Sequence, residues 1–347
     1  MTTPPASRKR VWIGWGLRLL GPVILIFLLS RLDKPGEVWR ILTSARPGPL
    51  VFTLFLNIVP LWLKVVRWQV ILRSRGIHYA TKPALLGFSA SLYLGMLTPG
   101  RVGDVLRIHY LRHDTGARYA EGLAFLVVDR LADLWVIAAF TSYAVLRWSS
   151  LLPPDLAHLG WIMVAGSLLA PLPLFIPRLA DKFLQRIYQR LAREREADGL
   201  KVFLETLRTS ARRSAVPVIL LTLAAYMVNF AQGSFLAGAL EIDLGFIDAA
   251  CLQSVQGLLG LLPISVSGLG VREAFFAAIF PKLGFTATEG ASYGIAIFVI
   301  MYIAQVLIGA VAWQIRPPPG SVAAAPVAPL EGPEAPEAPE APPGAAS

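Results

Sequence analysis

The sequence predicts an all-α fold: a polytopic membrane helix bundle of about six spans plus two re-entrant hairpins. Three observations lead there. The 347 residues are 55% hydrophobic and only 16% charged, with a mean hydropathy of +0.59, whereas a soluble domain carries about 25% charged residues. The apolar residues gather into eight long runs. Two runs are then interrupted alike: by Thr98-Pro99-Gly100-Arg101-Val102-Gly103-Asp104, and by Pro263 to Glu273 with Ser265, Ser267, Gly268, Gly270 and Arg272 between them. Broken helices and ionisable side chains persist in a bilayer only where protein or a water-filled cavity surrounds them, and a matched pair of breaks points to a transport site.

In chain order, residues 1–10 form a basic N-terminus, and Arg8, Lys9 and Arg10 place it in the cytoplasm. The run 11–30 is too long for a signal peptide and lacks an Ala-x-Ala site after it, so it reads as an uncleaved first span. The loop 31–49 would face outward despite four basic residues, three of them close to Asp33 and Glu37. The run 50–72 is the second span, with Lys64 and Arg67 expected to snorkel at its inner end. The run 83–98 is short and ends at the Pro-Gly break. The run 121–146 spans, the loop 147–158 faces outward with one basic residue, and the run 159–176 returns.

The connector 178–213 holds ten lysines and arginines against five acids, which makes it cytoplasmic. Strict alternation through every run would put it outside. Parity is restored when 83–98 dips in from the cytoplasm and returns. Leu179, Phe183, Ile187 and Leu191, then Leu200, Phe203, Leu204 and Leu207, recur at helical spacing, which fits amphipathic helices on the inner membrane face or a solvated connector. The run 215–239 spans outward. The run 246–264 then forms a second hairpin entered from outside, and 290–315 returns to the cytoplasm. The alternative is a full span at 246–264 with the C-terminus outside. Two hairpins of opposite orientation are the form of an inverted repeat, although no sequence repeat is visible. Residues 316–347 are rich in Pro, Ala and Glu, with Pro-Glu-Ala three times between Pro333 and Ala341, and are expected to be disordered.

The net charge of +10 lies in the connections between runs and accompanies no nucleic-acid fold signature, so anionic lipid, not nucleic acid, is the expected partner. The single Cys251 cannot form an internal disulfide. Candidate site residues are the charges at membrane depth. Asp129 and Asp133 share one helix face through their i, i+4 spacing and flank Arg130, at about 2.5–3.5 kcal/mol per charge at the bilayer centre, so they should face a polar interior or form a local ion-pair cluster. Arg101, Asp104 and Arg107 follow the first break, where arginine's fork suits a phosphate and a helix N-terminus favours an anion. Stopping the segment at the interface is the plainer role for Arg107. Ser267, Gly268, Gly270, Arg272 and Glu273 follow the second break. His109 and His113 lack a metal-site pattern, and no P-loop occurs, so neither metal nor cofactor is expected.

Taken together, Leu94-x3-Thr98-Pro99-Gly100-Arg101-x-Gly103-Asp104-x2-Arg107, Asp129-Arg130-Leu131-x-Asp133-Leu134, and Pro263-x4-Gly268-x-Gly270-x-Arg272-Glu273 resemble the lysylphosphatidylglycerol synthase/flippase transmembrane family over about residues 11–315. The resemblance implies an inner-membrane protein that moves an anionic or aminoacylated phospholipid, or a lipid-linked intermediate, with Arg101, Asp104, Arg130, Arg272 and Glu273 lining the headgroup path. Bifunctional members continue into an aminoacyl-transferase domain, and here only the Pro-Ala-Glu tail follows, so aminoacylation by this chain is not expected. Alternatives are a membrane transferase for a lipid-linked sugar or phosphate, with Asp129, Asp133 or Glu273 as base or metal ligand, and a non-transporting partner of such an enzyme. A homo-oligomer or a lipid-modifying enzyme is the protein partner to expect.

Overall fold

The computed structural model describes residues 26–27, 30, 35–98, 103–151, 161–162, 165–166, 169, 197–260 and 268–319. Among them every regular element is helical, so the all-α bundle holds. The sequence-derived elements at 1–10, most of 11–30 and of 159–176, the first half of the basic connector and the tail beyond 319 lie outside the described residues, as do Arg101 and Ser267.

The α-helices are α1 (Pro35–Thr43), α2 (Pro47–Leu56), α3 (Ile58–Arg73), α4 (Thr81–Leu97), α5 (Leu106–Thr115), α6 (Tyr119–Arg147), α7 (Ala197–Ala239), α8 (Phe246–Leu259), α9 (Val271–Ile279), α10 (Ala287–Ile297) and α11 (Ala304–Ile315). A π-helical stretch, Phe298–Ile303, joins α10 to α11. Among the described residues three rods are long and apolar enough to cross a membrane: Pro47–Arg73, Asp198–Ala239 and Ala287–Ile315. Helix α6 has the length but carries Asp129, Arg130 and Asp133 at its middle. With a rise of 1.5 Å per residue, α4 is about 25 Å long and α8 about 21 Å, both short of a hydrocarbon layer of about 30 Å.

Polar contacts sort the helix ends into two groups. At one end Arg75 pairs with Glu205 at 3.0 Å, Arg213 donates to the Ser74 carbonyl at 3.3 Å, and Arg316 pairs with Asp114. At the other, Arg46 pairs with Glu241 at 2.9 Å and Arg147 with Asp248 at 2.8 Å. Helices α4 and α5 therefore have their outer ends at the first face, and α8 and α9 theirs at the second. A methyl group on Gly103 would sit 2.2 Å from the Leu94 carbonyl carbon, so only glycine lets the return strand lie on α4. The Thr98 hydroxyl fastens this turn, donating to the Leu94 carbonyl at 2.8 Å and accepting from the Gly103 N–H at 3.0 Å. In the second turn Gly268 and Gly270 adopt φ of +73° and +81°, values that L side chains rarely reach.

The apolar core is divided accordingly. One cluster, with Trp68, Phe88, Leu111, Phe125 and Leu207, fills the half nearer the first face. The other, with Trp148, Leu236, Phe276, Phe280 and Tyr293, fills the half nearer the second. The second amphipathic stripe does not form a separate surface helix. It is the start of the unbroken 43-residue α7, and Leu207 on that stripe is buried in the first cluster. Nothing between 200 and 216 breaks the helix, so the stripe meets protein, not headgroups.

Candidate functional site

Between the two apolar halves lies a layer of buried charge. Helix α6 presents Asp129, Arg130 and Asp133 to it. Asp129 is fully buried and faces Arg67 at 2.6 Å and Arg107 at 2.9 Å. Asp133 faces Arg67 at 2.7 Å and Arg130 at 3.4 Å, and Arg130 also reaches Asp104 at 3.0 Å. Arg67 donates to the Thr222 hydroxyl at 2.9 Å. The guanidinium of Arg107 lies 4.8 Å from the Trp68 ring centre and 4.7 Å from that of Phe88. Three arginines thus compensate three aspartates, the only form in which so much charge is tolerated inside an apolar bundle.

The second hairpin contributes its own pair. Glu273 accepts from the Gly270 N–H at 2.6 Å, capping α9, and binds Arg272 at 2.7 Å. Arg272 is buried against the rings of Phe298 and Tyr302, at 5.1 and 4.8 Å. Those two rings are four residues apart at either end of the π stretch. The matching irregularity across from it is Asn57, whose side-chain amide donates to the carbonyls of Leu54 and of Ile300, both at 2.9 Å.

A cavity of about 260 Å³ opens where the two hairpin ends approach. Gly95, Met96 and Thr98 line it from the first hairpin and Gly257 and Gly260 from the second. Arg130 and Asp133 border it from α6, Lys64 from α3 and Tyr302 from the π stretch. The remaining polar lining is neutral: Tyr226 and Asn229 on α7, Gln253 and Gln256 on α8, Gln305 on α11.

The structure brings Asp104, Arg107, Asp129, Arg130 and Asp133 into one cluster, with Asp129 and Asp133 on one face as their spacing on α6 suggested, and sets Gly268, Gly270, Arg272 and Glu273 at the second turn. Only Arg130 and Asp133 of these border the cavity. Arg107 does not stop its segment at an interface, being 2% exposed. Arg67 does not snorkel: it is 1% exposed and bridges both α6 aspartates. The signal for Arg67 was its depth, since Arg73 and Arg75 follow and already supply cations at the helix end. The cavity amides were missed as well; their signal was an amide side chain inside each of three apolar runs. His109 meets the Tyr119 hydroxyl at 2.9 Å and the Pro319 carbonyl at 2.8 Å.

A family model described as the lysylphosphatidylglycerol synthase TM region matches residues 13–309. A UPF0104 membrane protein of Methanothermobacter thermautotrophicus is 23% identical over 320 residues, covering 85% of this chain and 91% of that protein. A second UPF0104 membrane protein of the same organism is 21% identical, covering 78% of this chain and 86% of that one. The glycosyltransferase AglD of Haloferax volcanii is 23% identical over 324 residues, but these cover 82% of this chain and only 51% of AglD.

Proposed function

The chain belongs to the lysylphosphatidylglycerol synthase transmembrane family, and we propose that it is a lipid flippase or transporter that carries a phosphate-bearing lipid headgroup across the cytoplasmic membrane through the cavity between its two hairpins. On this reading both hairpins are re-entrant, the first from the cytoplasm and the second from outside, and residues 11–315 form one transport domain. The observation that carries it is the pairing of two interrupted helices, entered from opposite ends of the bundle, around one cavity bordered by Arg130 and Lys64. Two short helices that cannot cross a bilayer leave polar backbone at its middle, which is tolerated around a cavity that ligands enter.

Arg130 is the headgroup contact: it borders the cavity and its side chain keeps 30% exposure, whereas Arg67, Arg107 and Arg272 are held inside the wall. The wall arginines set the rigid positive layer against which an anionic phosphate is stabilised. Face charge supports the orientation: Arg75, Arg112, Arg118, Arg212, Arg213 and Arg316 gather at the first face, as expected of the cytoplasmic side. Transport is tested in reconstituted vesicles with fluorescent phospholipid and a membrane-impermeant quencher. The protein should equilibrate the label between leaflets, and Arg130→Gln should slow this about tenfold or more in the folded variant, whose unfolding temperature also falls because Asp104 loses its partner. Vesicles with protein that behave as protein-free ones would sink the transport reading.

The likeness to AglD favours a second reading, a membrane transferase for a lipid-linked sugar. Against it, every carboxylate bordering the charged layer is engaged by an arginine, and such carboxylates make poor general bases. Product formation from a labelled sugar donor would favour that reading.

A further inference from the structure

Past α11 the chain is strapped to the first face. The Arg316 side chain pairs with Asp114 and donates to the Pro83 carbonyl at 3.4 Å, while its own carbonyl accepts from the Tyr110 hydroxyl at 2.7 Å. Three residues on, the Pro319 carbonyl lies 2.8 Å from Nε2 of His109. The chain thus leaves the bundle over α5, the arm that carries Arg107 into the charged layer. The exit is ringed by cations. Arg112 lies over the Tyr119 ring at 4.4 Å, and that ring stacks on His109. Arg118 precedes Tyr119, and Lys82 precedes Pro83. All three are exposed, and none forms an ion pair with a described residue. The nearest acids are already engaged: Asp114 by Arg316, and Glu121 by Arg75 at 3.9 Å and by the Arg118 backbone N–H at 3.0 Å. Uncompensated cations gathered at one point attract an anionic partner.

The chain carries such a partner in its own sequence. Residues 320–347 hold four glutamates, Glu331, Glu334, Glu337 and Glu340, and no lysine or arginine. The last three each follow a proline: Pro333, Pro336 and Pro339. A polyproline II helix turns once in three residues, so glutamates at this period share one edge, about 9 Å apart. The connection from Pro319 to Glu331 covers about 20 Å as a coil and about 40 Å when extended, enough to bring that edge back over α5. An exposed glutamate–arginine pair is weak and salt-sensitive, but the tether makes every pair intramolecular, so several act together at high effective concentration. Anionic lipid headgroups offer the same charge without that tether.

We infer that the first face carries a docking surface for the chain's own acidic tail, where Lys82, Arg112 and Arg118 around the exit at Pro319 hold the glutamate edge of residues 331–340. The test is carbodiimide coupling, which joins a carboxylate to a lysine amine where the two are in contact. In the full chain in neutral detergent at low salt, peptide mass spectrometry should find Lys82 joined to one or more of the four tail glutamates. Raising the salt to about 1 M, where charges are screened beyond about 3 Å, should lower the yield about tenfold. Replacing Arg112 and Arg118 together by glutamine should lower it as much at low salt, by removing two of the three cations; Arg118→Gln alone serves if the pair does not fold. The coupling should persist in vesicles that contain anionic phospholipid. A yield indifferent to salt or to the arginines, coupling only between two copies of the chain, or no coupling at Lys82 would each overturn the inference. Loss of coupling in the anionic vesicles would also overturn it, by assigning the surface to lipid headgroups. None of these readouts depends on what the cavity carries.

Discussion

Asp129 is the residue on which the buried charge converges. It has no exposure and two arginines within 3 Å, so its removal leaves Arg67 and Arg107 with uncompensated charge in an apolar setting. Breaking such a pair costs about 3–5 kcal/mol. Asp129→Asn should accordingly lower the unfolding temperature in detergent sharply and reduce the yield of monodisperse protein; an unchanged melting curve would refute the compensation argument. At this scale the α6 motif was legible because three charges in five residues cannot face lipid. Arg67 was not, because its partners lie 62 and 66 residues away in the sequence and a lone cation near a helix end has an easy exit to the interface. The second-turn pair, Arg272 with Glu273, was legible as a constellation, but its role as helix cap and ring-stacked wall follows only from the fold.

The hairpins are the elements that define the site. The first depends on a close approach: Gly103 lies directly on the backbone of Leu94 and Gly95, and a methyl there overlaps the backbone itself. Gly103→Ala should therefore cost more than the usual ~1–3 kcal/mol of overpacking and abolish transport; a variant that melts and transports as the parent does would remove the tight turn from the account. The helix breakers made both interruptions visible in sequence, whereas the continuity of α7 was hidden because an amphipathic stripe looks the same against protein as against headgroups. At the end of α5, outside the three spans, a clasp holds the exit of α11. Burial pushes the Asp114 carboxyl up, but hydrogen bonds from Arg316, Tyr79 and His113 outweigh it and hold it below the usual aspartate range. A lowered folded value means that the clasp stabilises above the unfolded aspartate pKa and is lost as pH falls through the folded one. Asp114→Asn should reduce the loss of thermal stability on acidification; identical acid profiles would show that the clasp contributes nothing.

At the scale of the molecule, the described residues form two apolar halves separated by a charged layer, with one pair of short helices reaching that layer from each face. The orientation this implies is checked by labelling. With Cys251, buried and free, replaced by alanine, a cysteine at Glu205 should react with a membrane-impermeant maleimide only from the cytoplasmic side and one at Glu241 only from the outside; the reverse pattern would invert the topology. Loop charge and parity are what propose this orientation from sequence, because the sign of a loop survives without knowing its contacts. The cavity itself was not legible, since its walls come from helices distant in sequence. The most direct test of the account fills it. Gly257 borders the cavity, and a methyl group there has Ile137 as its nearest neighbour, at an ordinary 3.6 Å. In reconstituted vesicles Gly257→Phe should bring lipid equilibration close to the protein-free rate while the unfolding temperature stays near that of the parent. Parental transport by a stable Gly257→Phe protein would contradict a path through the space between the hairpins.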